Sequence, residues 1–189
     1  MYDNFLFHPN DLQYMISDTF PITLGTDEVR CESELHSSYE QGSMMLSNES
    51  VRYLIIHCTG TRCDRDYGIR ELMRDHRARK FRTIGYHFYI RRNGEVTQHR
   101  KLLEVGAHCR PFNRCSIGIC YEGGLDAEGH YADTRTQEQR EQLKLLLMKL
   151  TRLFPGAHIV GHRDLPGTTP KACPCFDASE YCYLERLWR

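Results

Sequence analysis

The chain has 189 residues and a mass of 22.2 kDa, enough for one domain with a sizeable core and too little for two large ones. A composition of 40% hydrophobic and 26% charged residues excludes collagen and global disorder, and no run nears the roughly eighteen apolar residues of a transmembrane helix, so no membrane partner is expected. The net charge of zero hides an asymmetry: residues 1–50 set nine acidic side chains against Arg30 alone (−8), whereas residues 51–189 carry 24 Lys and Arg against 16 Asp and Glu (+8), which suits a polyanionic partner.

Residues 1–50 show little periodicity and read as an acidic extension, partly ordered at best, in front of a folded domain over residues 51–189. Its charge would let it lie over a groove of the basic domain and restrain it. The N-terminus has no basic region followed by an apolar stretch, so no secretory signal is read and the chain is expected to be cytoplasmic as synthesised. Nine cysteines is an odd count, so at least one is free, reactive or metal-bound; reduced thiols are expected, with Cys109 and Cys115 near enough in sequence for a local bridge.

Val51–His57 is a short β-rich apolar run, read as a buried strand. Ile69, Leu72, Met73 and His76 recur at helical spacing, which predicts an amphipathic helix over 68–80. Tyr86–Ile90 and Glu95–Gln98 flank Asn93-Gly94, a strong hairpin signal. Ser116–Tyr121 predicts a further strand. Thr136 with Gln139 forms a capping box that opens a long helix striped by Leu143, Leu146, Leu147 and Leu150 and ended by Pro155-Gly156. A strand over 157–161, a loop over 166–170 and a closing helix over 178–187 complete the chain. Strands alternating with helices predict an α/β domain with a single mixed central β-sheet flanked by helices.

Polar residues stand where these strands end. His57 closes the first strand, His162 follows the last, and Cys173 comes eleven residues later, after a Pro/Gly-rich loop. Two histidines and a thiolate at element ends can converge on a tetrahedral zinc with an open fourth position. The same residue types also permit a Cys–His nucleophile pair, and spacing alone does not separate the two.

The runs Ile55-Ile56-His57-Cys58-Thr59, Gly85-Tyr86-His87-Phe88-Tyr89-Ile90, Gly106-Ala107-His108 with Phe112-Asn113, Gly161-His162-Arg163-Asp164 and Lys171-Ala172-Cys173-Pro174 resemble, in order, the motifs of the zinc-dependent N-acetylmuramoyl-L-alanine amidases. This type-2 amidase family includes phage lysozyme-like amidases and peptidoglycan recognition proteins. The resemblance spans about residues 51–177 and leaves the extension outside. It implies one Zn2+ held by His57, His162 and Cys173, with Lys171 and Tyr86 as the catalytic side chains.

Zinc lowers the pKa of a bound water to about 7, and a nearby ammonium can stabilise the tetrahedral oxyanion of amide hydrolysis. Lys171, two residues before Cys173, projects to the same side in an extended segment. His108 is expected to line the substrate groove, Asn113 and Arg110 to contact the peptide stem or the sugar, and His87, alternating with Tyr86, to face away from the groove. Arg163 and Asp164 are expected to brace their loop by an ion pair. Cys175 departs from the family pattern, since a second thiol there could compete for zinc or oxidise with Cys173.

The implied function is hydrolysis of the bond between N-acetylmuramic acid and L-alanine in peptidoglycan, after release from the producing cell. The alternative is a recognition module that binds peptidoglycan without cutting it. A monomer is expected. The Arg74–Arg82 cluster reads as a solvated helix end, and no nucleic-acid partner is expected.

Overall fold

The computed structural model describes residues 43–168 and 172–188. The expected extension lies outside the described residues up to residue 42. Its last eight residues pack on the domain: the Met45 N–H donates to the Leu103 carbonyl (2.6 Å), the Val105 N–H to the Ser43 carbonyl (2.7 Å), and Met45 is buried. Among the described residues, these contacts reach back to Ser43.

The central sheet holds five strands: β1 (Tyr53–Cys58), β3 (Phe88–Ile90), β4 (Val96–Gln98), β5 (Ser116–Tyr121) and β7 (His158–Gly161). Their order is β4-β3-β5-β1-β7, all parallel except the edge strand β4, which pairs antiparallel with β3 across the Asn93-Gly94 turn. Two short strands, β2 (Thr61–Arg62) and β6 (Gly124–Leu125), pair beside it. Flanked on both sides, β1 is buried on both faces and reads as a continuous apolar run rather than an alternating one.

Alternation along the strands sorts two layers. Leu54, Ile56, Cys58, Phe88, Ile90, Ile117, Ile119 and Tyr121 point to the larger core under helix α2 (Gln137–Leu153), whose Leu143, Leu146, Leu147 and Leu150 fill it. The opposite face carries Tyr89 and Cys120 under helix α1 (Ile69–Ala78), which contributes Leu72. The Thr136 hydroxyl accepts from the Gln139 N–H (3.1 Å) and the Gln139 side chain from the Thr136 N–H (3.1 Å), so the expected capping box opens α2.

The closing helix expected over 178–187 is present as a 3-10 helix, Ala178–Arg186. Its buried residues Ala178, Tyr181 and Leu184 recur every third position, the 3-10 period, and lay one narrow apolar ridge on the core. Among the described residues no helix is long and apolar enough to cross a membrane. The eight described cysteines, Cys109 and Cys115 included, are free thiols.

Candidate metal centre and substrate groove

The parallel strands β1 and β7 end side by side, and ligands of open α/β sheets gather at such carboxyl ends. His57 is the penultimate residue of β1 and points away from the α2 core; His162 follows β7 directly, in a 3-10 turn. Both are buried, at 2% and 9% exposure. Cys173 enters from the loop beyond, and one donor atom from each of the three lies within 4.8 Å of the others. Nδ1 of His57 stands 3.8 Å from the Cys173 sulfur, which also accepts the Cys58 backbone N–H (3.3 Å). Two imidazoles and a thiol at this spacing, opening on a groove, fit a three-ligand zinc site.

The Cys173 loop is braced from several directions. The Arg163 N–H donates to the Cys173 carbonyl (3.0 Å) and its guanidinium to the Phe176 carbonyl (3.0 Å). The Tyr121 hydroxyl donates to the Pro174 carbonyl (2.6 Å). Asp164 accepts the Gly161 N–H (2.8 Å) and lies 3.7 Å from Arg163, so this pair holds the loop.

His108 lies against His57, with His57 Nε2 3.1 Å from His108 Nδ1. Its ring occupies space kept by two glycines: a β-carbon at Gly118 would stand 2.5 Å from it, and one at Gly106 2.4 Å. Burial, then the neighbouring His57 imidazole, drives the His108 pKa well down, and its Nε2 is buried without a hydrogen-bond partner. Behind it, fully buried His87 accepts the Gly118 N–H at Nδ1 (3.0 Å), which leaves Nε2 to donate to the Glu104 carbonyl (2.7 Å). Burial lowers the His87 pKa to about 4, so this ring is neutral. The Tyr86 ring sits 5.2 Å from the His57 ring, and burial raises its phenol well above the usual range.

A family profile described as N-acetylmuramoyl-L-alanine amidase matches residues 47–176. The chain belongs to this family. The endolysin of Klebsiella phage KP32 is 37% identical over 140 residues, 74% of this chain and 87% of the phage protein. Among solved structures, the N-acetylmuramoyl-L-alanine amidase endolysin LysCS from Clostridium intestinale is 25% identical with a TM-score of 0.58, over 72% of this chain and 82% of its own. Drosophila peptidoglycan recognition protein SD shares the fold, at 24% identity and a TM-score of 0.57, over 78% of this chain and 86% of its own.

The amidase groove has a volume of about 520 Å³ and holds His57, Tyr86, His108, His162 and Cys173 together. Its outer wall is made by Arg79 and Phe81 beyond α1 and by Leu125 and Tyr131 from the opposite loop. None of these four was read as a site residue from sequence. In the sequence Arg79 is one of several cations at the end of a helix, and only the position of Phe81 after the helix hints at a wall. Arg110 is exposed beyond His108 and does not line the groove. Asn113 also lies outside it: its Oδ1 accepts the N–H groups of His108 (2.9 Å) and Cys109 (2.8 Å), fixing the His108 loop. Lys171 lies outside the described residues.

Cys175 turns away from the metal cluster to Cys58, sulfur to sulfur at 3.6 Å. The hydrogen bond with Cys173 is the main cause pushing the Cys58 thiol up to about 12, and contact with Cys58 raises Cys175.

Proposed function

We propose that this chain is a zinc amidase that hydrolyses the bond between the lactyl group of N-acetylmuramic acid and L-alanine in peptidoglycan, releasing the stem peptide. The observation that carries the reading is the His57–His162–Cys173 donor cluster at the floor of the groove in a chain of this family. A zinc ion held by these three residues would supply Lewis acidity at the scissile carbonyl and would lower the pKa of a water to about 7.

The chain's own residues do the rest. With Nδ1 of His57 as the metal donor, its Nε2 carries the proton and donates to His108 Nδ1, which fixes the ring and its tautomer. His108 therefore positions a ligand as well as lining the groove. The Tyr86 phenol, held protonated by burial, offers an O–H donor to the carbonyl oxygen as negative charge develops on it. Lys171 supplies a compact cation for the same oxyanion. All three donors and both groove walls come from one chain, so a monomer suffices. The place of action is the bacterial wall, reached after release.

The test is mass spectrometry of products from purified peptidoglycan. The expected products are peptides with a free L-alanine amino group and glycan strands without new reducing ends. Binding without release would turn the reading into a recognition module, and new reducing ends would replace it with glycan cleavage.

A further inference from the structure

We propose that Cys58 and Cys175 are an oxidisable pair whose disulfide fastens the Cys173 segment to β1 and leaves the three metal donors untouched. The two sulfurs are 3.6 Å apart although 117 residues separate them in sequence. They converge over bare backbone: a β-carbon at Gly124 would stand 2.6 Å from the Cys58 sulfur and 3.4 Å from that of Cys175. Cys175 is held at φ 68°, a left-handed conformation uncommon for a residue with a side chain, by a turn in which its N–H donates to the Ala172 carbonyl (2.7 Å). Closing the gap to the roughly 2.05 Å of a disulfide needs about 1.5 Å of approach, and no side chain lies between.

The position gives the bond its consequence. Cys58 follows His57, and Cys175 stands two residues beyond Cys173. A bond between them ties the segment two residues beyond Cys173 to the residue that follows His57, so Cys173 cannot swing away from His57. The Cys58 backbone N–H, which donates to the Cys173 sulfur, is unchanged. The reaction is a two-electron exchange with a small disulfide such as glutathione disulfide. The two cysteines lose two protons and two electrons and form one S–S bond; the reagent's S–S bond breaks and takes up both as two thiols. Cys58 is buried, whereas Cys175 is only partly so, and a small reagent meets the pair there first. In a reducing cytosol the pair stays as thiols, and an oxidising compartment closes it.

The experiment uses the full chain loaded with zinc, equilibrated in reducing or oxidising glutathione buffer, then alkylated and digested with trypsin without reduction. The expected result is residues 53–62 joined to residues 172–186, with fragment spectra placing the bond at Cys175 and leaving Cys173 free. Oxidised protein should release zinc to a chelator about tenfold more slowly than reduced protein and melt several degrees higher. Cys175→Ser should retain zinc and show no response to the buffer. A bond at Cys173, zinc lost on oxidation, or no linkage would each overturn the proposal. The consequence for metal retention rests on the zinc reading, and the outcomes separate: a protein that binds no zinc yet forms the Cys58–Cys175 link defeats that reading alone, whereas one that binds zinc without forming the link defeats only this inference.

Discussion

His108 and His87 show how one residue governs another across the groove floor. His87 is locked as a neutral ring between the Gly118 N–H and the Glu104 carbonyl, and His108 stacks edge-on against it with ring centres 5.7 Å apart. Partners that orient a metal-bound histidine typically change metal affinity by about 10- to 100-fold when removed. His108→Ala should weaken zinc binding by that factor while leaving the far-UV circular dichroism unchanged; undiminished zinc affinity would contradict its orienting role. Tyr86→Phe should keep zinc and lower turnover by about 100-fold, and unaltered turnover would remove the phenol from the chemistry. The three donors were legible through the resemblance to the family's motifs, since their strand-end spacing alone left a Cys–His pair equally open. The Asn113 contacts were not, because which amides a loop side chain caps depends on a backbone path that spacing does not fix. The Cys58–Cys175 approach was hidden by the 117 residues between them, and the sequence pointed instead to Cys173 as the partner of Cys175.

Among the elements, β1 does most of the positioning, because it pairs on both edges and its two faces serve different ends. Leu54 and Ile56 enter the α2 core while His57 reaches the groove. Strand β5 works by omission, since Gly118 leaves room for the His108 ring. Gly118→Ala should therefore displace that ring and cut activity at least tenfold with the fold retained, a result read by pairing the amidase assay with circular dichroism. Thr136→Ala removes the α2 cap and should cost about 1 kcal/mol in chemical denaturation without affecting turnover at ambient temperature. Strands β1 and β5, the hairpin and both helices were legible from periodicity, capping and the Asn-Gly turn. The closing helix was legible too, but not its 3-10 form, because a short apolar stripe spaced by three also matches one face of an α-helix. Strand order and the small β2–β6 pair were not legible, since they arise from pairings between distant segments.

For the whole molecule, acid stability follows from its buried imidazoles. Burial lowers the pKa of His76 and of His87 to about 4, below an unfolded value near 6.5. Between those values the unfolded chain binds more protons than the folded one, so stability rises with pH through the window. Each histidine's contribution is complete above about pH 6.5, is lost as pH falls towards 4, and is worth up to roughly 3 kcal/mol. Melting of zinc-free protein should therefore be nearly flat above pH 7 and fall steeply below pH 6.5; equal stability at pH 4.5 and 7.5 would contradict it.

The central claim is that the three converging donors hold a catalytic zinc, and its most direct test couples metal content to reaction. Zinc per chain and stem-peptide release should be measured together on wild type and Cys173→Ser, with and without chelator. The account predicts about one zinc in wild type, peptide release that stops with chelator and returns with zinc, and neither metal nor release in the variant. Full release by metal-free protein, or by Cys173→Ser, would contradict it.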